Sequence, residues 1–397
     1  MKIAHITTVD LALRYLLLNQ LVSLQQAGFE VVGISNPGPD VPAIEAAGIR
    51  HIAVPMTRNF TPVADLKSLF ELYKVIKREK FSLVHTHTPK PGLLGQLAAK
   101  MAGVPLVVNT IHGFYFHDHM PEFWRRFYIA TEKIAATCSH SILSVNLEDV
   151  QTAVKEGIGS PSLMKYLGGG VDIKKLDPQK FCDAEWRQKK RGELGIAAQD
   201  QVVGFVGRLV REKGVLDLLQ AAKLILPKHP RVKFLIIGPT DPDKADALTT
   251  NPALEYGIAE SCIFTGIRND IPELYALMDM LVLPSYREGL PRVPMEAAAM
   301  GLPCVVTDIR GCREIVEQGY NGLLTPLGDI DALAKAIVSL LEDRELAVRL
   351  GGNGRKLAIE KFDERLVFDK IKAEYARLLQ ARGMPVPSLL AAEVAVS

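Results

Sequence analysis

Met280-Leu281-Val282-Leu283-Pro284-Ser285-Tyr286-Arg287-Glu288-Gly289-Leu290-Pro291-Arg292-Val293-Pro294-Met295-Glu296 reads as a buried strand, a polar loop and the first turns of a helix. The apolar run at 280–284 has the length of a strand. Ala297-Ala298-Ala299-Met300 continues the helix until Gly301 and Pro303 stop it. In α/β proteins such a crossing is where ligands bind, because the loop lies at the carboxyl end of the strand and the helix offers unpaired N–H groups. Glu288 falls in the loop. Glu296 falls roughly 5–8 Å further along, at 1.5 Å of rise per residue. Two carboxylates so placed can accept from two hydroxyls of one polar ligand. The plainer alternative is a solvated carboxylate at each position, with Glu288 favouring the helix N-terminus.

Outward from this stretch, strand and helix alternate along the chain. Residues 2–8, 30–35, 51–54, 82–87, 106–110 and 141–145 read as strands, with helical segments between them. A second alternation has strands at 201–207, 232–238, 262–266, 280–284, 303–307 and 322–325. The pattern predicts two doubly wound parallel sheets, each covered by helices on both faces. A polar, charged segment at 177–200 places the boundary near 180–195. The expected domains are 1–185 and 186–363, with a helix over 364–381 packing back onto the first and a loose tail at 383–397.

Length and composition agree with two globular domains: 397 residues, 48% hydrophobic and 23% charged. A net charge of +2 gives no case for nucleic-acid binding. The first 180 residues carry +4 and the rest −2, so an anionic partner is expected at the first half. The five cysteines are scattered without a C-x-x-C pair and read as reduced thiols of a cytoplasmic protein. No uninterrupted apolar run is long enough to span a membrane, so any membrane contact is expected to be peripheral.

Two further strand ends carry cations. Gly207-Arg208-Leu209 follows one strand, and Glu212-Lys213-Gly214 precedes the next helix. Arg208 and Lys213 there suit a diphosphate, or else form a solvated basic loop. The spacing is not that of a Walker loop, and Thr7-Thr8-Val9-Asp10 lacks the glycines of a dinucleotide fingerprint. Asp241-Pro242-Asp243 reads as a turn in preference to a metal site. In the first half, His112 sits in a strand-ending His-Gly turn. His85 and His87 alternate on one strand and share a face; metal ligation, contact with an acceptor or diphosphate, and a structural role all remain open for them. His117 and His119 have the same spacing. Lys90 lies in a loop opening a helix, and Arg14 lies near the first loop. Basic residues of the helix near 65–80 and the aromatics at 114–116 and 123–128 form a mixture suited to an anionic membrane surface, or to a solvated helix face beside a core cluster.

Taken together and in order, Gly207-Arg208-Leu209, Glu212-Lys213-Gly214, Arg287-Glu288-Gly289-Leu290-Pro291 with Glu296, and Gly311-Cys312-Arg313-Glu314-Ile315-Val316 followed by Asn321-Gly322 resemble the family-4 retaining glycosyltransferases. The likeness is close over the second domain and looser over the first. It implies the GT-B fold, two Rossmann-like domains facing across a cleft, and a metal-independent reaction with no cofactor. The donor it implies is a nucleoside-diphosphate sugar, a UDP-sugar, and the acceptor a saccharide hydroxyl, lipid-linked, in glycan or polysaccharide assembly. It implies that Glu296 holds the ribose hydroxyls, and that Glu288 holds sugar hydroxyls with the N–H groups of Gly289 and Leu290. Arg208 and Lys213, beside Gly207, would hold the diphosphate. Ile267 and Arg268 would face the base, and His112 would meet the donor sugar. Arg14, His85, His87 and Lys90 are left as acceptor candidates. The loop Val9-Asp10-Leu11-Ala12 departs from the Gly-Gly pair of many relatives. Retention by attack from the leaving-group side and retention through a covalent intermediate both remain open. So do two other functions, a nucleotide-sugar epimerase on the same fold and a non-catalytic sugar-nucleotide binder.

Overall fold

The computed structural model describes residues 1–116, 120–241, 246–248 and 252–394. It divides into two compact units, Met1–Gly168 with Val367–Ser397, and Gly169–Leu366. The changeover at Gly168 precedes the charged segment in which the boundary is expected. Val171 explains this: it bridges Asp363, accepts from Glu364 N at 3.1 Å, and is buried in the core of the second unit. The segment leading to residue 185 therefore belongs to the second unit.

The first unit holds a seven-stranded parallel sheet. In chain order its strands are β1 (Lys2–Val9), β2 (Glu30–Asn36), β3 (Arg50–Ala53), β4 (Leu83–His87), β5 (Leu106–Ile111), β6 (Ser141–Ser144) and β7 (Met164–Tyr166). Their spatial order is β3-β2-β1-β4-β5-β6-β7. The short β7 has too little apolar pattern to show in the sequence. The second unit holds a six-stranded sheet of β8 (Gln201–Val206), β9 (Val232–Ile237), β10 (Cys262–Gly266), β11 (Met280–Leu283), β12 (Cys304–Thr307) and β13 (Gly322–Thr325), ordered β10-β9-β8-β11-β12-β13. Central strands such as β4, β5, β11 and β12 are buried along their whole length, as sheets covered on both faces require. Each sheet reverses its direction of winding once, between β1 and β4 and between β8 and β11. Ligand crevices form at the carboxyl ends of such strand pairs.

Residues 388–394 of the tail are not loose. Ser388–Val394 is helical, Leu390 is fully buried, and Glu393 pairs with Lys372 at 2.7 Å. Ahead of it, the helix Glu364–Ala381 is tied to the first sheet by Glu374 to Lys165 at 2.7 Å and by Lys370 Nζ to the Leu167 carbonyl at 2.9 Å. All five cysteines are free thiols.

Candidate functional site

At the reversal point of the second sheet, the loops after β8 and β11 are stitched together. Tyr286 N and Ser285 Oγ both donate to the Glu212 carbonyl, at 2.9 and 3.2 Å. Gly214 makes this possible. It has φ +70°, and a Cβ there would lie 1.9 Å from the Pro284 carbonyl oxygen. The sequence Lys213-Gly214 thus brings Lys213 Nζ to 2.6 Å from Glu288 Oε1, with both side chains mostly buried. Arg287 pairs with Glu212 at 2.7 Å. Gly311 lets the short helix Arg310–Arg313 close on the same loop, since a Cβ there would meet the carbonyls of Glu288 and Gly289 at 2.7 Å.

Glu296 lies in the helix Arg292–Ala299. Tyr275 donates to it at 3.0 Å, and Arg292 stands 3.8 Å away. Burial pushes its carboxyl above the ordinary range, against the opposing pull of Arg292 and Tyr275. Such a group gains by taking hydroxyl donors. Arg208, beside Gly207, is paired with Asp241 at 2.7 Å. Asp241 is thus a cation's partner in this structure; Pro242 and Asp243 lie outside the described residues. Arg268 makes two bonds to Asp270, with a 2.8 Å contact between its Nε and Oδ1, and Asp270 also takes Lys190 at 2.8 Å. Ile267 beside it is 71% exposed. Residues 267 and 268 follow β10, at the edge of the sheet. A groove of about 570 Å³ between the helices Val215–Ile225 and Ile330–Glu342 contains none of the expected residues.

The reversal point of the first sheet is built differently. His5 on β1 is in register with His85 on β4, and His87 follows on the same face. His112 comes directly after β5. A row of hydrogen bonds joins them: His112 Nε2 to His87 Nδ1 at 3.2 Å and His87 Nε2 to His5 Nδ1 at 3.0 Å. His5 Nε2 meets Tyr375 OH at 3.3 Å, Tyr375 OH meets His85 Nδ1 at 2.6 Å, and His85 Nε2 meets Thr110 Oγ1 at 2.7 Å. Burial lowers His5 to about 3 and His112 to about 4, and holds His85 and His87 well below the usual histidine value. All four are neutral at physiological pH.

Two acceptor candidates are corrected by this arrangement. His85 and His87 are buried, at 0% and 1% exposure, with their ring nitrogens engaged inside the protein, so neither can touch an acceptor. Lys90 Nζ is held by Asp65 and by Thr57 Oγ1 at 2.7 Å, a fastening for the loop before the helix Pro62–Glu79. Arg14 is part-buried beside Tyr15, with its guanidinium 5.7 Å from the ring. His117 and His119 lie outside the described residues. Phe114 and Phe116 stack at 4.6 Å inside the core, whereas Phe60, Val63, Leu66, Phe70, Phe123 and Trp124 are exposed. Tyr375, His5 and Thr110 were not visible as site residues in the sequence, and Asp241 was read there as part of a turn. A third histidine on the strand pairing with β4 is the one available signal, and it needs the register to be read.

Two doubly wound sheets, with paired charges at the reversal point of the second, define the GT-B class. Residues 187–357 match the family of group 1 glycosyl transferases, and residues 2–146 match the glycosyl transferase 4-like family. The chain is 32% identical to the UDP-Gal:alpha-D-GlcNAc-diphosphoundecaprenol alpha-1,3-galactosyltransferase of Escherichia coli, over 94% of this chain and 96% of that one. It is 28% identical to a capsular polysaccharide biosynthesis glycosyltransferase of Staphylococcus aureus, over 96% and 98%. The HepE protein of Anabaena, solved with UDP, shares the fold at a TM-score of 0.79 and 21% identity, over 95% of this chain and all of that one. The chain belongs to the group 1, family-4-type glycosyltransferases.

Proposed function

We propose that this glycosyltransferase moves a hexosyl or N-acetylhexosaminyl unit from a UDP-sugar to a hydroxyl of a lipid-linked saccharide, with retention and without a metal ion. The observation that carries the reading is the Lys213–Glu288 pair at the reversal point of the second sheet. An incoming diphosphate takes Lys213 and Arg208 from their carboxylates. Glu288, released, accepts from sugar hydroxyls beside the N–H groups of Gly289 and Leu290. Glu296 takes the ribose hydroxyls, and its unfavourable burial is relieved by them. Ile267 and Arg268 border the base. His112 meets the transferred sugar, and Arg14 and Lys90 are the remaining candidates for the acceptor.

As the bond between the anomeric carbon and the diphosphate oxygen breaks, negative charge grows on the leaving phosphate. Pre-placed Lys213 and Arg208 stabilise it. The acceptor oxygen then bonds to the same face of the anomeric carbon, and its proton passes to the departing phosphate. Glu288 is assigned to positioning, because its carboxylate, once released from Lys213, is engaged by the sugar hydroxyls. The E. coli relative's diphosphoundecaprenol acceptor and the related Staphylococcus aureus enzyme of capsule synthesis support the lipid-linked acceptor.

Among the described residues no helix is long and apolar enough to cross a membrane. The exposed Phe60, Val63, Phe70, Phe123 and Trp124 lie on or beside the helices Pro62–Glu79 and Glu122–Ala136, which also carry Lys67, Lys74 and Arg126. These support peripheral attachment to an anionic leaflet on the cytoplasmic side. The test is incubation with a panel of UDP-sugars and polyprenyl-diphosphate-linked saccharides, read by product mass. A heavier lipid product and free UDP are expected. Intact donors throughout, with no calorimetric binding of UDP, would overturn the proposal, and conversion of donor without acceptor would favour an epimerase.

A further inference from the structure

The buried row running from His112 through His87, His5, Tyr375 and His85 to Thr110 has a property that its members lack singly. A neutral imidazole has one N–H and one bare nitrogen, so it donates on one side and accepts on the other. In an unbranched row of such rings and one phenol, fixing the direction of one bond fixes all the others. Only two arrangements exist. Either every imidazole carries its proton on Nδ1 and each bond points toward His112, or every imidazole carries it on Nε2 and each bond points toward Thr110.

Thr110 decides between them. Its side chain is 2% exposed, and among the described residues its hydroxyl has one side-chain partner, His85 Nε2 at 2.7 Å. If His85 donated to it, the buried hydroxyl proton would have no acceptor, which is costly. Thr110 therefore donates to His85 Nε2, and His85 donates from Nδ1 to the Tyr375 oxygen. Tyr375 donates to His5 Nε2, His5 to His87 Nε2, and His87 to His112 Nε2. Burial keeps Tyr375 a phenol, with its pKa well above the usual value.

We infer that this row fixes His112 in its Nδ1–H form, so that His112 offers its ligand a hydrogen-bond donor, and that Thr110 and Tyr375 are positioning residues for it. Nδ1 of His112 has no protein partner among the described residues, and His112 is part-buried while the rest of the row is buried. A neutral N–H there suits a hydroxyl or phosphate oxygen and cannot act as a base. This last step rests on the reading of His112 as the residue that meets the donor sugar. A metal ion is the competing occupant, since nitrogens of His5, His85 and His87 lie within 4.8 Å of one another. However, His85 and His87 lie ring on ring at 4.2 Å, so their lone pairs run side by side instead of converging. Both nitrogens of His85 are also taken by hydroxyls.

The test is ¹⁵N NMR of the full chain with ring-labelled histidine at neutral pH, with no substrate present. The four ring systems are expected to carry their proton on Nδ1. Thr110→Val removes the directing donor, so His112 should lose its Nδ1–H signal to a mixture of forms, and kcat/KM should fall about tenfold, as for one hydrogen bond. Thr110→Ser should restore both. Tyr375→Phe cuts the row in the middle and should also give mixed forms at His112, three hydrogen bonds away. An Nε2–H form at His112 in the wild type overturns the inference, as does displacement of these ring protons by added zinc ion. If Thr110→Val does not fold, the wild-type spectrum still decides. Because the tautomers are read without substrate, they judge the row alone; unchanged turnover in His112→Ala would instead remove the sugar-contact reading.

Discussion

The two sheets reverse their winding in the same way and furnish the reversal point with opposite chemistry. In the second unit, the loops after β8 and β11 carry the opposed charges Lys213 with Glu288 and Arg287 with Glu212, and Arg208 after β8 pairs with Asp241 after β9. In the first, β1 and β4 carry neutral, buried imidazoles joined by hydrogen bonds, and His112 follows β5. The difference is one of exchangeability. An ion pair can trade its carboxylate for a phosphate, because the cation keeps an anionic partner and the freed carboxylate can take hydroxyl donors. A buried row of neutral donors and acceptors cannot be opened without leaving groups unsatisfied, so it holds geometry. In the proposed reading, one reversal point is entered and the other is fixed.

The largest expected effect tests the buried row. Each of its imidazoles is neutral in the folded chain, with His5 at about 3 and His112 at about 4, against 6.5 for a free histidine. Below pH 6.5 the unfolded chain binds protons that the folded chain refuses. The stability these groups contribute is therefore complete above that pH and falls as the pH drops toward 4. Each group that stays neutral in the folded chain adds up to about 1.4 kcal/mol per pH unit to the slope. Urea titrations followed by circular dichroism at pH 7, 6 and 5 should show this as a steep drop in midpoint. A flat profile over that range would mean that the histidines are hydrated and the row is not sealed.

Next in size is Lys213→Ala. In the proposed reading it removes a charge that faces the leaving diphosphate and leaves Glu288 unpaired, so kcat should fall about 10²–10³-fold. Arg208→Ala should act in the same direction and more weakly, since Arg208 is the more exposed of the two. Steady-state kinetics with the true donor and acceptor measure both. If Lys213→Ala lost less than Thr110→Val, the contrast between an entered site and a fixed one would be reversed.

The second unit was the more legible in the sequence, for a physical reason. Its proposed site is built from residues close to one strand–loop–helix crossing, so Glu288 and Glu296 stand out by their spacing, and Glu296 also by its apolar neighbours. The alternation of apolar runs likewise gave the strands, except β7, whose three residues carry no periodicity. The first unit's row depends on long-range register. His5, His85 and Thr110 sit on three strands, and Tyr375 arrives from a helix near the end of the chain. No local pattern announces that meeting, and without it the roles of His85 and His87 stay open between ligand contact and structure. The boundary at 168 was hidden similarly, because Val171 is committed to the second unit by a partner at Asp363.

Glu296→Gln sharpens the comparison from the side of stability. Burial raises this carboxyl, so the folded protein binds its proton more readily than the unfolded chain does. The penalty is absent at low pH and appears as the pH rises through the raised value. The amide should remove it, raising Tm at pH 7 by about 2 °C. The same change should weaken UDP about tenfold, through a lost charge-assisted bond to ribose. Scanning calorimetry and titration calorimetry read the two effects separately. A variant that is less stable and binds UDP normally would make Glu296 a packing residue and detach it from the site.

The smallest effect tests whether the cations of the second unit are waiting for phosphate. Asp241 occupies Arg208 at 2.7 Å, and Arg208 is 38% exposed. An exposed pair of this kind is worth about 0.2–1 kcal/mol. A nucleotide that must displace Asp241 is penalised by up to that amount, so Asp241→Asn should tighten UDP binding about two- to fivefold at low salt. Added salt screens the pair in the wild type, and the advantage should shrink with it. Arg268→Ala provides the contrast. Its guanidinium is committed to Asp270, which Lys190 also holds, so its loss should leave the diphosphate affinity almost unchanged and bear only on the choice of base. Weaker UDP binding in Asp241→Asn would show that Asp241 orients Arg208 for the phosphate instead of masking it, and the second reversal point would then share some of the first one's fixed geometry.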